Sequence, residues 1–464
     1  MSLREEPLRL HTGRLLTALW VLLGFVGCRG RQCASRPRDA GAKTAETAQP
    51  TAVSGPVAGS APCAPLHSEF PRRVPADVSG PAVEIENPDG ALSRYFQHTS
   101  LLLRGRRTPP VRIAVYGDSN GTMDVLSGQM RRTLQSILGD AGHGFHALAR
   151  PWPWYQHQDV AFGVQTDAWE AYTVSTHPTP RSDLWYGTGL IAAESRRPGA
   201  TSWIGTAPED SLVGTRASRF EVYYLARPKG GSFEVRVDGE SRATVSTDDR
   251  ETAHFAFVGV DVPEGPHKMK IVVRSARSVR LLGAVIEREG PGVQVDGLGV
   301  GSLNCACLLR ESEELDREIL EHRPYDLVVF HIGTNAWGPS DVDRVTCMSS
   351  VIARWRRSIP DVSTLIMTPP DWGADGALKT PGWLLRVGSD LHSAAEQTKS
   401  AFFDFRLAMG GDGSMAHWEH LRMTQGDGVH LNAKGGALAS DLVTDALGRA
   451  FENWALQHPD AGCE

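Results

Sequence analysis

The sequence predicts an α/β protein in which a domain built on a parallel sheet is interrupted by an inserted antiparallel β-sandwich. Three observations predict it. Residues 111–116 read VRIAVY, a short β-branched run stopped by Gly117 and followed by a helical pattern over 123–138. Between about 151 and 290 the chain offers short strand-like runs with no helix between them. From about 293 strand and helix patterns alternate again, so the β module sits inside the α/β domain rather than after it.

In the first helix, Met123, Leu126, Met130, Leu134, Ile137 and Leu138 recur every three or four residues, with polar Gln129, Arg131, Arg132 and Gln135 between them. The sandwich strands are expected at 169–174, 219–226, 232–237, 253–260, 269–274 and 279–287. Each is bounded by Gly, Pro, Asp or Ser, residues that supply turn geometry. The second α/β half is expected as helix 311–321, strand 326–332, helix 345–357, strand 364–367, helix 391–400, strand 402–405 and a final helix 436–454.

At 464 residues, with 41% hydrophobic and 22% charged side chains, the chain has ample material for a large core, and length alone suggests two or three domains. Lys+Arg 48 against Asp+Glu 54 gives a net charge of −6, which argues against nucleic acid as a partner. Seven cysteines are too few for a disulfide scaffold.

Arg4, Arg9 and Arg14 precede an apolar run at 15–26, too short for the ~20 residues of a membrane-spanning helix but of signal-peptide length. Its end, Phe25-Val26-Gly27-Cys28, resembles a bacterial lipoprotein signal with Cys28 as the lipidated residue. From 29 to 80, 27 of 52 residues are Ala, Gly, Pro or Ser without apolar periodicity, which reads as a flexible tether. Removing residues 1–27 takes away three arginines and two glutamates and moves the net charge from −6 to −7. The expected organisation is a signal at 1–28, a tether at 29–85, an α/β domain in two parts at 86–150 and 291–460, and the sandwich at 151–290. The expected location is the periplasmic side of a bacterial cell envelope, held by a lipid anchor.

Three short segments carry chemistry: Gly117-Asp118-Ser119-Asn120, Gly333-Thr334-Asn335 and Asp427-Gly428-Val429-His430. The first two follow predicted strands, and groups at the carboxyl ends of strands in an open α/β sheet converge on one crevice. A serine becomes a nucleophile when a histidine takes its proton, an aspartate holds that histidine's tautomer, and an asparagine amide can donate to the oxyanion formed on a carbonyl. Each motif is weak by itself, and Asp140-Ala141-Gly142-His143 repeats the D-x-x-H spacing as a helix stop. The position of Asp427 and His430 before the last helix, and the order of the three segments, separate them from that copy.

In that order these segments resemble the SGNH (GDSL) hydrolases. The resemblance extends to the peptidoglycan O-acetylesterases of that superfamily, through Gly139–Phe145, Pro369–Asp371, Phe403-Asp404, Met409–Gly411, Ser414-Met415, Trp418 and residues 427–436, and through the inserted sandwich, which is similar to carbohydrate-binding modules. It covers roughly residues 95–455. It implies a three-layer, flavodoxin-like SGNH domain and a carboxylic ester hydrolase, an acetylesterase that uses no cofactor and no metal. Ser119 would be the nucleophile, His430 the base and Asp427 the orienting acid, with the oxyanion held by Ser119, Gly301 and Asn335. The glycine of the oxyanion hole can be aligned at Gly301, or with Cys305 in its place. The implied partner is an O-acetylated cell-wall glycan, most of all peptidoglycan. The alternatives are an O-acetyltransferase with the same triad and a non-catalytic wall-binding lipoprotein.

Other residues have plainer readings. Gly297, Gly299 and Gly301 lack the spacing of a dinucleotide loop. His417 and His420 flank Glu419 on what reads as a solvated helix face, and His331 lies on an apolar strand as a core histidine. Cys305, Cys307 and Cys347 allow one disulfide without naming the pair. Trp152, Trp154, Trp185 and Trp203 are candidates for a sugar-stacking platform or for core packing.

Overall fold

The computed structural model describes residues 66, 80, 82–107, 109–175, 181–336, 343–376 and 378–463. The expected signal at 1–28, the expected lipidation at Cys28 and most of the tether at 29–85 lie outside the described residues. Among the described residues no helix is long and apolar enough to cross a membrane.

The α/β domain carries a five-stranded parallel sheet of β1 (Val111–Gly117), β2 (Val293–Gly299), β3 (Leu327–His331), β4 (Ser363–Met367) and β5 (Ala401–Phe403), in the order β2-β1-β3-β4-β5. That is the flavodoxin-like order, whose reversal falls between β1 and β3. Six longer helices among the described residues flank it: α1 (Ser93–Leu103), α2 (Val125–Leu138), α3 (Glu313–His322), α4 (Arg344–Ser358), α5 (Gly382–Thr398) and α6 (Ala433–Gln457).

Alternation along β1 sorts the side chains into two cores. Ile113 and Val115 pack with Tyr95 and Phe96 of α1, Met130 and Leu134 of α2, and Val443 and Phe451 of α6. Ala114 and Tyr116 face the opposite side, with Ile319 of α3, Trp355 of α4 and Val387 of α5. Both faces of the sheet are therefore dry, as parallel sheets require.

The second core continues into the antiparallel module without a break. One of its sheets runs His254–Gly265, Ala217–Ala226, Val279–Glu287, Ile191–Ser195, Glu170–Thr173, with Gly144–His146 also paired to Val279–Glu287. The other runs Val160–Val164, Thr201–Thr206, Lys268–Val273, Ser232–Val237, Glu240–Ser246. Phe233, Val235 and Ile271 fill the space between them, and Phe145 and Tyr223 lie in the same cluster as Ala114 and Tyr116 of β1.

The antiparallel pairing thus begins at Gly144, ahead of the expected 151, because a three-residue strand beside Gly142 and Gly144 leaves too short a pattern to read. At the other boundary, Glu86 pairs with Phe402 and Arg449 of α6 contacts Val83 and Glu84, so residues 83–86 already pack on the α/β domain.

Candidate active site

The turn after β1 is set by close backbone packing. A Cβ on Gly117 would meet Gly121 Cα at 2.9 Å, and one on Gly299 of β2 would meet the Gly121 carbonyl oxygen at 2.2 Å. Glycine at these positions lets the chain reverse into the short helix Ser119–Gly121 directly at the sheet edge. Asp118 caps that helix by accepting the Asn120 N–H on Oδ1 at 3.1 Å. Ser119 is left half-buried at the β1–β3 reversal, where ligands of such sheets bind.

His430 lies on the loop before α6. Asn432 caps α6, accepting the N–H groups of Lys434 and Gly435, and its amide donates to the carbonyls of Arg422 and Thr424. Gly428 adopts φ +69°, and a Cβ there would sit 2.4 Å from Gly373, whose N–H donates to the Gly428 carbonyl. The loop is thereby fixed from two sides.

The structure brings Ser119, His430 and Asp427 into one hydrogen-bonded chain. His430 Nε2 is 2.9 Å from Ser119 Oγ, and His430 Nδ1 is 2.6 Å from Asp427 Oδ2. Asp427 Oδ1 accepts the N–H groups of Val429 and His430 at 2.9 and 2.8 Å. Partial burial would push the Asp427 carboxyl up, but the His430 side chain and these two N–H groups outweigh it and hold it below the usual carboxylate range. Asp427 therefore stays an acceptor facing Nδ1, which leaves Nε2 free to take a proton from Ser119.

Asn335 follows β3, and Asp118 ties its segment to the nucleophile turn, since Asp118 Oδ2 accepts the Thr334 N–H at 3.0 Å. Among the described residues the Asn335 Nδ2 amide is buried and has no hydrogen-bond partner. An apolar hollow of about 120 Å³ adjoins it, lined by Cys305, Ile332, Ala336, Met348 and Val387 among others.

Gly301 follows Val300, whose N–H donates to the Gly117 carbonyl at 2.9 Å, so Gly301 stands beside the start of the Ser119 turn. A Cβ on Gly301 would meet nothing within 4 Å. Cys305 opens the short helix Cys305–Leu308, capped by Asn304, and its side chain is joined in a disulfide to Cys347 of α4, while Cys307 is a buried free thiol.

The residues with plainer readings fall into place. His417, Glu419 and His420 are exposed on the helix Ser414–His420, and His331 is buried with burial lowering its pKa. Trp154 is 59% exposed, whereas Trp152 and Trp185 pack against the sandwich core and the Trp203 ring lies under the Lys268 ammonium at 3.6 Å. Trp154 borders a groove of about 420 Å³ together with Arg150, Tyr155, Phe162 and Met123, four residues after Ser119.

One cluster went unread in the sequence. His143, in the helix-stop copy, lies with Asp124 and His157 so that one ligand atom of each falls within 4.8 Å of the others. Both Asp124 oxygens are already taken, by Arg131, Ser127 and the Gln158 N–H. Burial alone would raise that carboxyl, yet Arg131 and its neighbours bring it to about 2. A carboxylate saturated by an arginine does not suit a metal ion, and the cluster is an ion pair flanked by neutral histidines.

The sheet order, the serine turn at the reversal and the inserted sandwich define an α/β protein of the SGNH-hydrolase fold. In particular, the chain is similar to a peptidoglycan O-acetylesterase structure at 22% identity and a TM-score of 0.65, covering 80% of this chain and 99% of that one. A family two carbohydrate esterase from Clostridium thermocellum (13% identity, TM-score 0.27, 61% of this chain and 98% of that one) and an acetylxylan esterase from Geobacillus stearothermophilus (20%, 0.26, 34% and 73%) overlap it only loosely. No protein-family model matches the sequence, and no curated protein does.

Proposed function

We propose that this protein is a serine esterase that removes acetyl groups from an O-acetylated cell-envelope polysaccharide, with peptidoglycan as the substrate. The hydrogen-bonded chain from Asp427 through His430 to Ser119 carries the reading. The fold shared with a peptidoglycan O-acetylesterase supports the choice of substrate.

Ser119 Oγ attacks the acetyl carbonyl while His430 Nε2 takes its proton, and Asp427 stabilises the imidazolium. The tetrahedral oxyanion is received by the N–H groups of Ser119 and Gly301 and by Asn335 Nδ2, which has no other partner among the described residues. The sugar oxygen leaves with the proton from His430, and a water activated by the same histidine then releases acetate. The hollow beside Asn335 suits a short acyl group, and the ring face of Trp154 suits a sugar of the attached glycan. Lipid attachment at Cys28 would hold this domain at a membrane facing its substrate, a part of the proposal that rests on the sequence pattern.

The test measures acetate release from O-acetylated peptidoglycan and from acetylated xylan by the parent and by Ser119→Ala. Release from peptidoglycan that vanishes in the variant is expected. Equal rates in a folded variant would overturn the mechanism, and preference for xylan would overturn the substrate.

A further inference from the structure

The proposed mechanism gives no part to Asn120, yet the structure joins it to both ends of the reacting pair. Asn120 is bonded to Ser119, is 6% exposed, and sends its side chain across to the His430 loop. Its Oδ1 accepts the Leu431 N–H at 2.9 Å, and its Nδ2 donates to the Val429 carbonyl at 3.5 Å, the long limit of a hydrogen bond. One amide thus engages the peptide groups on either side of His430.

The other restraints on that loop come from elsewhere. Gln425 N–H donates to the His430 carbonyl, Asn432 holds Arg422 and Thr424, and Gly373 holds Gly428. They set the loop's shape but not its distance from Ser119. Among the described residues, the hydrogen bonds from the 117–122 turn into the loop are the one between Ser119 and His430 and the two of Asn120. The Asn120 N–H is fixed in turn on Asp118, which also holds Thr334.

We infer that Asn120 is a positioning residue that sets His430 Nε2 against Ser119 Oγ by clamping the backbone before and after the histidine. The site calls for a side chain that donates and accepts at once, at a length that spans the gap, and asparagine is both. Such a clamp matters because a base displaced by about 1 Å can cost on the order of 100-fold in rate. Asn120 touches neither substrate nor reacting atoms, so its effect passes through His430. The inference rests on the proposed triad, but the hydrogen bond it concerns can be observed without turnover.

The test compares the parent, Asn120→Ala, Asn120→Asp and Ser119→Ala, each checked for folding, in two ways. The first is turnover of p-nitrophenyl acetate. In Asn120→Ala we expect kcat to fall at least tenfold with KM within about twofold. Asn120→Asp keeps the Leu431 acceptor, loses the Val429 donor and adds a negative charge near the imidazole. It should fall less and move the acid limb of the kcat/KM profile to higher pH. The second is the 15N shift of His430 Nε2 in histidine-labelled protein. In Asn120→Ala it should move towards the value in Ser119→Ala, where the hydroxyl partner is missing. A parent-like shift in Asn120→Ala, or a rate loss matching only a loss of folded protein, would overturn the inference. Absence of turnover in the parent would overturn the esterase reading instead, and the shift comparison would still decide the clamp.

Discussion

Asp118 Oδ2 accepts the Thr334 N–H at 3.0 Å, so the residue before the serine holds the residue before Asn335. Its other oxygen caps the serine turn through the Asn120 N–H. One buried carboxylate therefore registers the Ser119 turn against the Asn335 segment across the β1–β3 reversal. Replacing Asp118 by Ala removes both bonds and should cut kcat/KM by about 10–100-fold. Asp118→Asn keeps one acceptor and should fall between this variant and the parent, as measured by initial rates on p-nitrophenyl acetate.

The proposed mechanism makes Asn335 Nδ2, buried and without a hydrogen-bond partner among the described residues, an oxyanion donor. Its loss in Asn335→Ala should lower kcat by about 100–1,000-fold, the cost of one such donor, with little change in KM. Steady-state kinetics on an acetyl ester check this, and a variant with normal kcat would remove Asn335 from the hole.

Stability should fall as the solution is acidified through the ordinary histidine range. His143 and His146 are buried and the His157 side chain is 6% exposed, and desolvation first of all lowers their pKa values in the folded protein. Below the unfolded value of ~6.5 the unfolded chain takes up protons that the folded chain refuses, so folding loses about 1.4 kcal/mol per pH unit for each such proton. Urea midpoints measured from pH 8 to pH 5 should decline, and His146→Phe should flatten the decline.

The Cys305–Cys347 disulfide fastens the segment after Gly301 to α4 across a separation of 42 residues. In the chain-entropy account a loop of that size contributes on the order of 3–4 kcal/mol. Reduction, or Cys347→Ser, should lower the melting temperature. If Gly301 serves the oxyanion, it should also lower kcat more than it changes KM.

Trp154 presents its ring to the groove that reaches Met123. Trp154→Ala should raise KM for O-acetylated glycan several-fold and leave turnover of p-nitrophenyl acetate unchanged. Equal effects on both substrates would detach the groove from glycan binding.

The strands whose apolar residues dominate were legible. The 111–116 run and the 279–287 run coincide with observed strands, because β-branched residues there meet a core on both faces. β2 was not, since Gln294, Asp296 and Gly297 break its pattern. Asp296 can be buried there only because Arg323, Tyr325 and the Phe145 N–H donate to it, partners the sequence does not place beside it.

The helix α5 begins at Gly382, well before the expected 391. Gly382 and Gly388 weaken its opening turns as a helical signal, while Leu384 and Val387 pack into the core. α1 went unpredicted because Arg94, Gln97 and His98 share it with the buried Tyr95 and Phe96.

Within the site, motif order singled out Ser119, Asp427 and His430, which the structure joins by hydrogen bonds, whereas nothing in the sequence singled out Asn120. Its side chain meets a backbone group 311 residues away, where side-chain identity leaves no trace. The histidine cluster escaped for the opposite reason, since D-A-G-H reads as a turn and only the fold sets His143 beside His157.

In the proposed reaction Ser119 carries the acyl group from a glycan ester. Intact-protein mass spectrometry, after rapid acid quench of the parent and of Ser119→Ala mixed with O-acetylated peptidoglycan fragments, tests it most directly. A transient gain of one acetyl mass is expected in the parent, mapped to the peptide containing Ser119 and missing from the variant, with acetate accumulating. Acetate release with no such adduct, or an adduct that persists in Ser119→Ala, would contradict it.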